Sequence, residues 1–272
     1  MGASEAVLGA ELKCSRGALS PPFDSGDVSV ETVRMTLDSP SAHQLSTQFD
    51  ELLGLVPVEL HKEFGEVFYS GATAFEQPSP IYLLGFNPGG DPTKDQLSRY
   101  TIAADLQASH EPRRHDWSAL EEDWREFGPG AVAYQRRVLH LLAACGITDP
   151  RKIPASNAIF VRSTRVETLD AQRTKALLRD CWTVHERVIS TLAVRVVVCF
   201  GQAASHWVRA QLGANEPPSD TFVEENKRRW RSATHQGRDG IQVVTLTHPS
   251  VADWTNSLSD PTGLVVRALE RA

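Results

Sequence analysis

Three short stretches hold the side chains in this 272-residue chain best placed to do chemistry: Asn87 in GFNPGG, Asn157 in SNAIFVRS and His248 in THPS. An amide offers a donor and an acceptor together, and an imidazole is the side chain whose proton moves near neutral pH. The glycines after Asn87 leave backbone N–H groups free to donate to a bound group. The cysteines, Cys14, Cys145, Cys181 and Cys199, are widely spaced with no CxxC pairing, so we expect reduced thiols and neither a zinc nor an iron–sulfur centre. Taken singly, each candidate has a plainer alternative: Asn87 as a turn former, Asn157 as a satisfied buried amide, His248 as a loop residue before proline. Their joint arrival at strand ends is what favours a functional reading.

The elements that must position them follow from hydrophobic patterning. Four short β-rich runs, Pro80 to Gly85, Ile153 to Val161, Val194 to Phe200 and Ile241 to Thr247, alternate with helical patterns. That alternation predicts an α/β fold, a three-layer α/β/α arrangement with a central four-stranded parallel sheet. Helices are expected over Trp117 to Phe127, over Ala131 to Cys145 with Gly146 as its stop, and over Asp170 to Leu192. In the last of these, Leu177, Leu178, Cys181, Trp182, Val188 and Ile189 face the core. Ligands in open parallel sheets bind beyond the carboxyl ends of the strands. The first run ends in Gly85-Phe86-Asn87-Pro88-Gly89-Gly90 and the last in Thr247-His248-Pro249-Ser250, so both reach that edge. Pro154 makes the strand of Asn157 short or peripheral. Gly201, after the third run, reads as a structural turn, since its surroundings lack the spacing of a Walker loop or a dinucleotide fingerprint.

Composition narrows the class of protein. Residues 1–40 mix Ser, Gly, Pro and acidic residues without periodicity and read as a flexible N-terminal extension, with the folded part starting near Ser41. The longest apolar runs fall far short of a bilayer span, and the start lacks the pattern of a secretory signal, so a cytoplasmic protein without membrane contact is expected. A net charge of −6 argues against broad nonspecific affinity for nucleic acid. Two basic runs stand out, EENKRRWR at 224–231 and EPRRH at 111–115, and both read as solvated faces.

GFNPGG resembles the first motif of the uracil-DNA glycosylase superfamily in its G-x-N-P-G form, and THPS resembles the second. SNAIFVRS is similar to the strand that supplies that family's base-reading Asn, and VVVCFGQAA to the strand and turn before the last strand. The resemblance runs from about Ile81 to Trp254 and implies a glycosylase-like domain over residues 41–272. It implies a hydrolase of N-glycosidic bonds, acting as a monomer on DNA with the damaged base flipped into a pocket, and needing no cofactor or metal. By the same resemblance Asn87 orients the attacking water, and His248 donates to the base oxygen where charge develops. Asn157 reads the polar edge of the pyrimidine, and Tyr100 stacks on the base. Gly85, Phe86, Pro88, Gly89 and Ser250 line the site, and Val251 or Trp254 is the candidate wedge. The chain departs from the family in lacking the proline-rich continuation after HPS. An amide at position 87 also cannot take a proton as the carboxylate of other branches does. The alternatives are a fold of this kind that binds bases or nucleic acid without hydrolysis, and a hydrolase of free nucleosides or nucleotides.

Overall fold

IYLLG at 81–85 and VVVCF at 196–200 are apolar at nearly every position, so neither face of either strand can be left to water. In a computed structural model of the protein, which describes residues 47–90, 100–122, 128–163 and 170–272, they form the middle of the sheet. β1 (Ile81–Gly85) lies between β2 (Ala155–Asn157) and β3 (Val196–Phe200), and all three are parallel. The expected extension over residues 1–40 lies outside the described residues, while Ser41–Ala272 forms one unit.

The sheet is larger than the sequence predicts, and mixed. Its order is β2-β1-β3-β6-β5-β4. The four expected parallel strands are present as β2, β1, β3 and β6 (Gln242–Leu246), and two antiparallel strands, β5 (Arg231–Gln236) and β4 (Asp220–Val223), extend it beyond β6. RSATHQ and DTFV carry no apolar alternation, so hydrophobic patterning passes over them. β5 nonetheless buries Ser232, Ala233, Thr234 and His235, with Ser232 Oγ accepting the Thr247 N–H at 3.1 Å.

Alternate residues of the central strands point to opposite layers. Tyr82, Leu84, Val197 and Cys199 pack with α1 (Thr47–Gly54), α5 (Ala171–Thr191) and α6 (Gln202–Leu212). Ile81, Leu83, Val196 and Val198 pack with α4 (Ala133–Ala144) and α7 (Thr262–Arg271) on the other face. Each fully buried Val, Leu or Ile here contributes roughly 1.5–3 kcal/mol. α5 starts where Asp170 accepts the Arg173 N–H at 2.8 Å, and it buries Leu177, Leu178, Cys181, Trp182 and Val188 as its pattern predicts. It is tied to the sheet by Tyr82 Oη and His185 Nδ1, 2.9 Å apart, and burial holds His185 down at about 4, so this pair is neutral.

Two further expectations are corrected. Trp117 to Glu122 is not helical, because its backbone pairs across the chain: Gly71 N–H donates to the Trp117 carbonyl and Ala119 N–H to the Tyr69 carbonyl. The rest of that segment, 123–127, lies outside the described residues. The second β-rich run forms a strand only over Ala155–Asn157, although Ala158 and Ile159 N–H continue to donate to the carbonyls of Gly85 and Phe86. On its far side β2 meets the segment 64–70, which approaches it through the Phe68 and Ser156 bridge.

Candidate active site

β1 and β2 end side by side, with Gly85 in register with Asn157, and β3 and β6 end in register at Phe200 and Leu246. Asn87, Asn157, Gly201 and His248 therefore all sit at the carboxyl edge of the parallel strands. The Asn87 amide is held in one orientation, since Nδ2 donates to Ser163 Oγ at 2.8 Å and to the Pro88 carbonyl at 3.0 Å. A carbonyl only accepts, so the nitrogen must face it and Oδ1 is left to accept a hydrogen bond from a ligand or water. Gly85 comes so close to Asn157 that an ideal Cβ there would lie 2.1 Å from Oδ1. Asn157 itself is buried, and so is Phe86, which belongs to the core on the α5 side.

His248 is fixed from one side. Its Nδ1 accepts the Ser250 N–H at 3.1 Å and lies 2.7 Å from Ser250 Oγ. A nitrogen that accepts from a backbone amide carries no proton, so the proton of the neutral ring is on Nε2, which becomes a donor. Burial lowers the pKa of His248 from its ordinary value and favours that neutral form. Ser250 thus acts on His248. The loop is anchored by Arg137, whose Nη1 donates to the Pro249 carbonyl at 2.6 Å and whose Nε lies 3.4 Å from Asp253. Gly201, at φ 94° and ψ 163°, occupies a conformation that favours glycine, and a Cβ there would be 3.9 Å from the His248 ring.

Sequence reasoning missed what lies between these residues. Tyr69, from the segment beside β2, bears on Asn157, Glu66 and Tyr134, and burial raises its pKa, with the Glu66 charge adding to the shift. The Tyr134 ring, on α4, lies 6.1 Å from the His248 ring. Tyr69 and Tyr134 thereby span the edge from Asn157 to His248. Behind Tyr69 is a compact charge cluster. Glu66 is 3.6 Å from Arg162 and 3.9 Å from Arg114, and Asp105 is 3.1 Å from Arg114 and accepts the Val67 N–H at 2.8 Å. Burial, with Asp105 as a nearby like charge, raises the Glu66 pKa above the carboxylate range. Arg162 also donates through Nη1 to the Gly89 carbonyl, which ties the cluster to the Asn87 turn. The one available signal in the sequence was a carboxylate inside the aromatic run FGEVFY, since a charge in a segment that must be buried needs a partner.

The other expected residues differ in how far they are exposed. Tyr100 is 54% exposed and its carbonyl accepts the Gly65 N–H at 2.9 Å; among the described residues it has no ring partner. Trp254 is fully buried with its ring 5.7 Å from Phe200, so it is core and not a wedge, whereas Val251 is 53% exposed. The run EPRRH is not uniformly solvated: Arg113 is exposed, but Arg114 lies in the charge cluster with its guanidinium 3.5 Å from the Trp117 ring centroid. Among the described residues no group of His, Cys, Asp and Glu could hold a metal ion, and no helix is long and apolar enough to cross a membrane. No protein-family model matches the chain, and no curated protein matches its sequence.

Proposed function

We propose that the protein is a DNA glycosylase that hydrolyses the N-glycosidic bond of uracil or a related deaminated base. The observation that carries this reading is His248, neutral and held as an Nε2–H donor, at the sheet edge that also bears the Asn87 and Asn157 amides. Breaking the bond from C1′ of the sugar to the base nitrogen sends the electron pair onto the base and leaves positive charge on the sugar. A donor placed where that negative charge forms lowers the barrier, and one such donor is worth about 3 kcal/mol. His248 Nε2–H takes that role. Asn157 presents the acceptor and donor that match adjacent positions of a pyrimidine edge. Asn87 Oδ1 accepts from a water that adds to C1′. The proton this water loses balances the base anion, and the products are free base and an abasic sugar.

Asn87 orients water without deprotonating it, so the mechanism relies on bond cleavage running ahead of water attack. Substrate arrives in a DNA strand, because a base paired in a duplex must be extruded to reach such a crevice. The test is release of free base from single- and double-stranded oligonucleotides carrying uracil, hypoxanthine or xanthine, comparing wild type with His248→Ala and Asn87→Ala. Release that disappears with His248 supports the reading. Absence of release by folded wild-type protein, or full activity in both variants, overturns it.

A further inference from the structure

We propose that the connection between β4 and β5 is a binding platform for a single-stranded stretch of DNA, on which Trp230 stacks a base while Lys227, Arg229 and Arg231 face phosphates. The inference extends the reading of the crevice as a site for a base in DNA, and its test is independent of catalysis.

The position of this connection follows from sheet topology. β5 runs antiparallel to β6, pairing Ala233 with Thr245 and Gln236 with Gln242, so β5 begins beside the end of β6. The 224–230 turn therefore lies at the same edge of the sheet as His248. Its contact with the His248 loop is direct: Arg228 Nη1 donates to the Val251 carbonyl at 2.8 Å, and the Glu225 N–H donates to the Leu258 carbonyl at 2.8 Å. A strand entering the crevice from the His248 side would cross this rim.

The chemistry of the turn suits a nucleic-acid strand. Trp230 is 38% exposed, with the Arg228 guanidinium 4.6 Å from its ring centroid, so one cation is already stacked on the indole and the ring remains open to solvent. Lys227, Arg229 and Arg231 are exposed, and none of them forms an ion pair among the described residues. Arg113, Arg151, Arg173 and Arg267, by contrast, are each paired with a carboxylate. Unpaired cations around an exposed aromatic, on a protein of net charge −6, mark a patch for an anionic partner with flat rings. Of the two acids in the turn, Glu224 is buried and accepts from Asn226 Nδ2 at 2.7 Å, leaving Glu225 as the exposed negative group.

The turn is also built to hold its shape. Glu224 N–H donates to the Trp230 carbonyl at 2.9 Å, and Asn226 Oδ1 accepts the Arg228 N–H at 2.8 Å. Arg229 sits at φ 53°, a conformation costly for a residue with a side chain, which the surrounding hydrogen bonds sustain. A platform ordered before binding loses little entropy on binding.

The experiment is fluorescence polarisation of the full chain with a labelled, uracil-free single strand of about 15 nucleotides across a salt series. Trp230→Ala is expected to weaken binding about tenfold. Lys227→Glu with Arg229→Glu should weaken it further and reduce the slope of log K against log salt by about 1.4. The control, Lys175→Glu with Arg187→Glu on the exposed side of α5, changes net charge equally and should leave that slope in place. All four positions are exposed, and melting curves verify that each variant is folded. Wild type that fails to bind, tip variants that bind as wild type does, or a control that loses as much as the tip would each overturn the inference. Base release from a uracil-containing strand, measured in parallel, separates the two proposals. Tip-dependent binding without release rejects the hydrolysis alone, and release with tip-independent binding rejects the platform alone.

Discussion

Gly85→Ala places one methyl group in the crevice while leaving every group assigned to the reaction intact. The ideal Cβ lies 2.1 Å from Asn157 Oδ1 and 3.2 Å from its Cγ, whereas ordinary contact begins at 3.4 Å. The amide oxygen has to retreat by about 1.3 Å, a distance at which a repulsive contact is relieved. Gly85 is not among the residues of positive φ, so alanine suits the backbone there and the strain falls on Asn157 alone. The displaced atom is the end of a side chain, which can turn away, so the stability cost is about 1–2 kcal/mol. On the proposed function the rate would suffer more, because a shift of about 1 Å in a group that positions substrate costs about a hundredfold. We therefore expect single-turnover base release from a uracil oligonucleotide to fall about a hundredfold in Gly85→Ala, with a small loss in melting temperature. In Gly85→Ala combined with Asn157→Ala the clash is gone, so the melting temperature returns to that of Asn157→Ala while the rate stays low. A Gly85→Ala protein as fast as wild type would refute the placement of Asn157 at the reacting base.

The clamp on His248 sets a pH response. Its pKa is lowered by burial, so base release should be level through neutral pH, and decline only below the ordinary histidine value, as protonation of Nδ1 breaks the hydrogen bond from Ser250; a decline already at pH 7 would contradict this. Tyr69→Phe removes the hydroxyl that bears on Asn157 and should slow release about tenfold, while narrowing the preference for uracil over cytosine in competition assays. Glu66 is raised from 4.5 to about 7, so the native state binds the extra proton and the stability it contributes is lost as pH rises across that window. Glu66→Gln should thus gain about 1–3 kcal/mol relative to wild type between pH 5 and pH 8 in urea unfolding, and a difference independent of pH would exclude the effect.

The parts of the fold that were legible are those where burial on two faces leaves no choice of residue. IYLLG and VVVCF announce central strands, and the apolar stripe of α5 announces a docked helix. β5 was illegible because its buried positions include Ser232, Thr234 and His235, polar residues that leave no hydrophobic period, and β4 is a short strand only half-buried. In the candidate site, the positions of Asn87 and His248 at the sheet edge were legible because each closely follows a recognisable strand. Tyr69 was not, since it comes from a segment that joins the edge of β2 by isolated bridges, and those depend on a pairing more than 80 residues distant that no local pattern encodes. The turn at 224–231 was visible as charge but not as position. Only the antiparallel course of β5 brings it to the crevice.

That course has a consequence for how such a protein can diversify. The β4 to β5 connection is closed at its base by the Glu224 to Trp230 hydrogen bond and by four paired residues on each strand. Because its ends are pinned, doubling its length would cost only about 0.6 kcal/mol of closure entropy. Its composition can therefore drift without disturbing the parallel strands that carry Asn87, Asn157 and His248. On the two proposals made above, strand preference and bond-breaking chemistry would reside in separately replaceable parts of one sheet, and a turn exchanged between proteins of this architecture would transfer the first without altering the second.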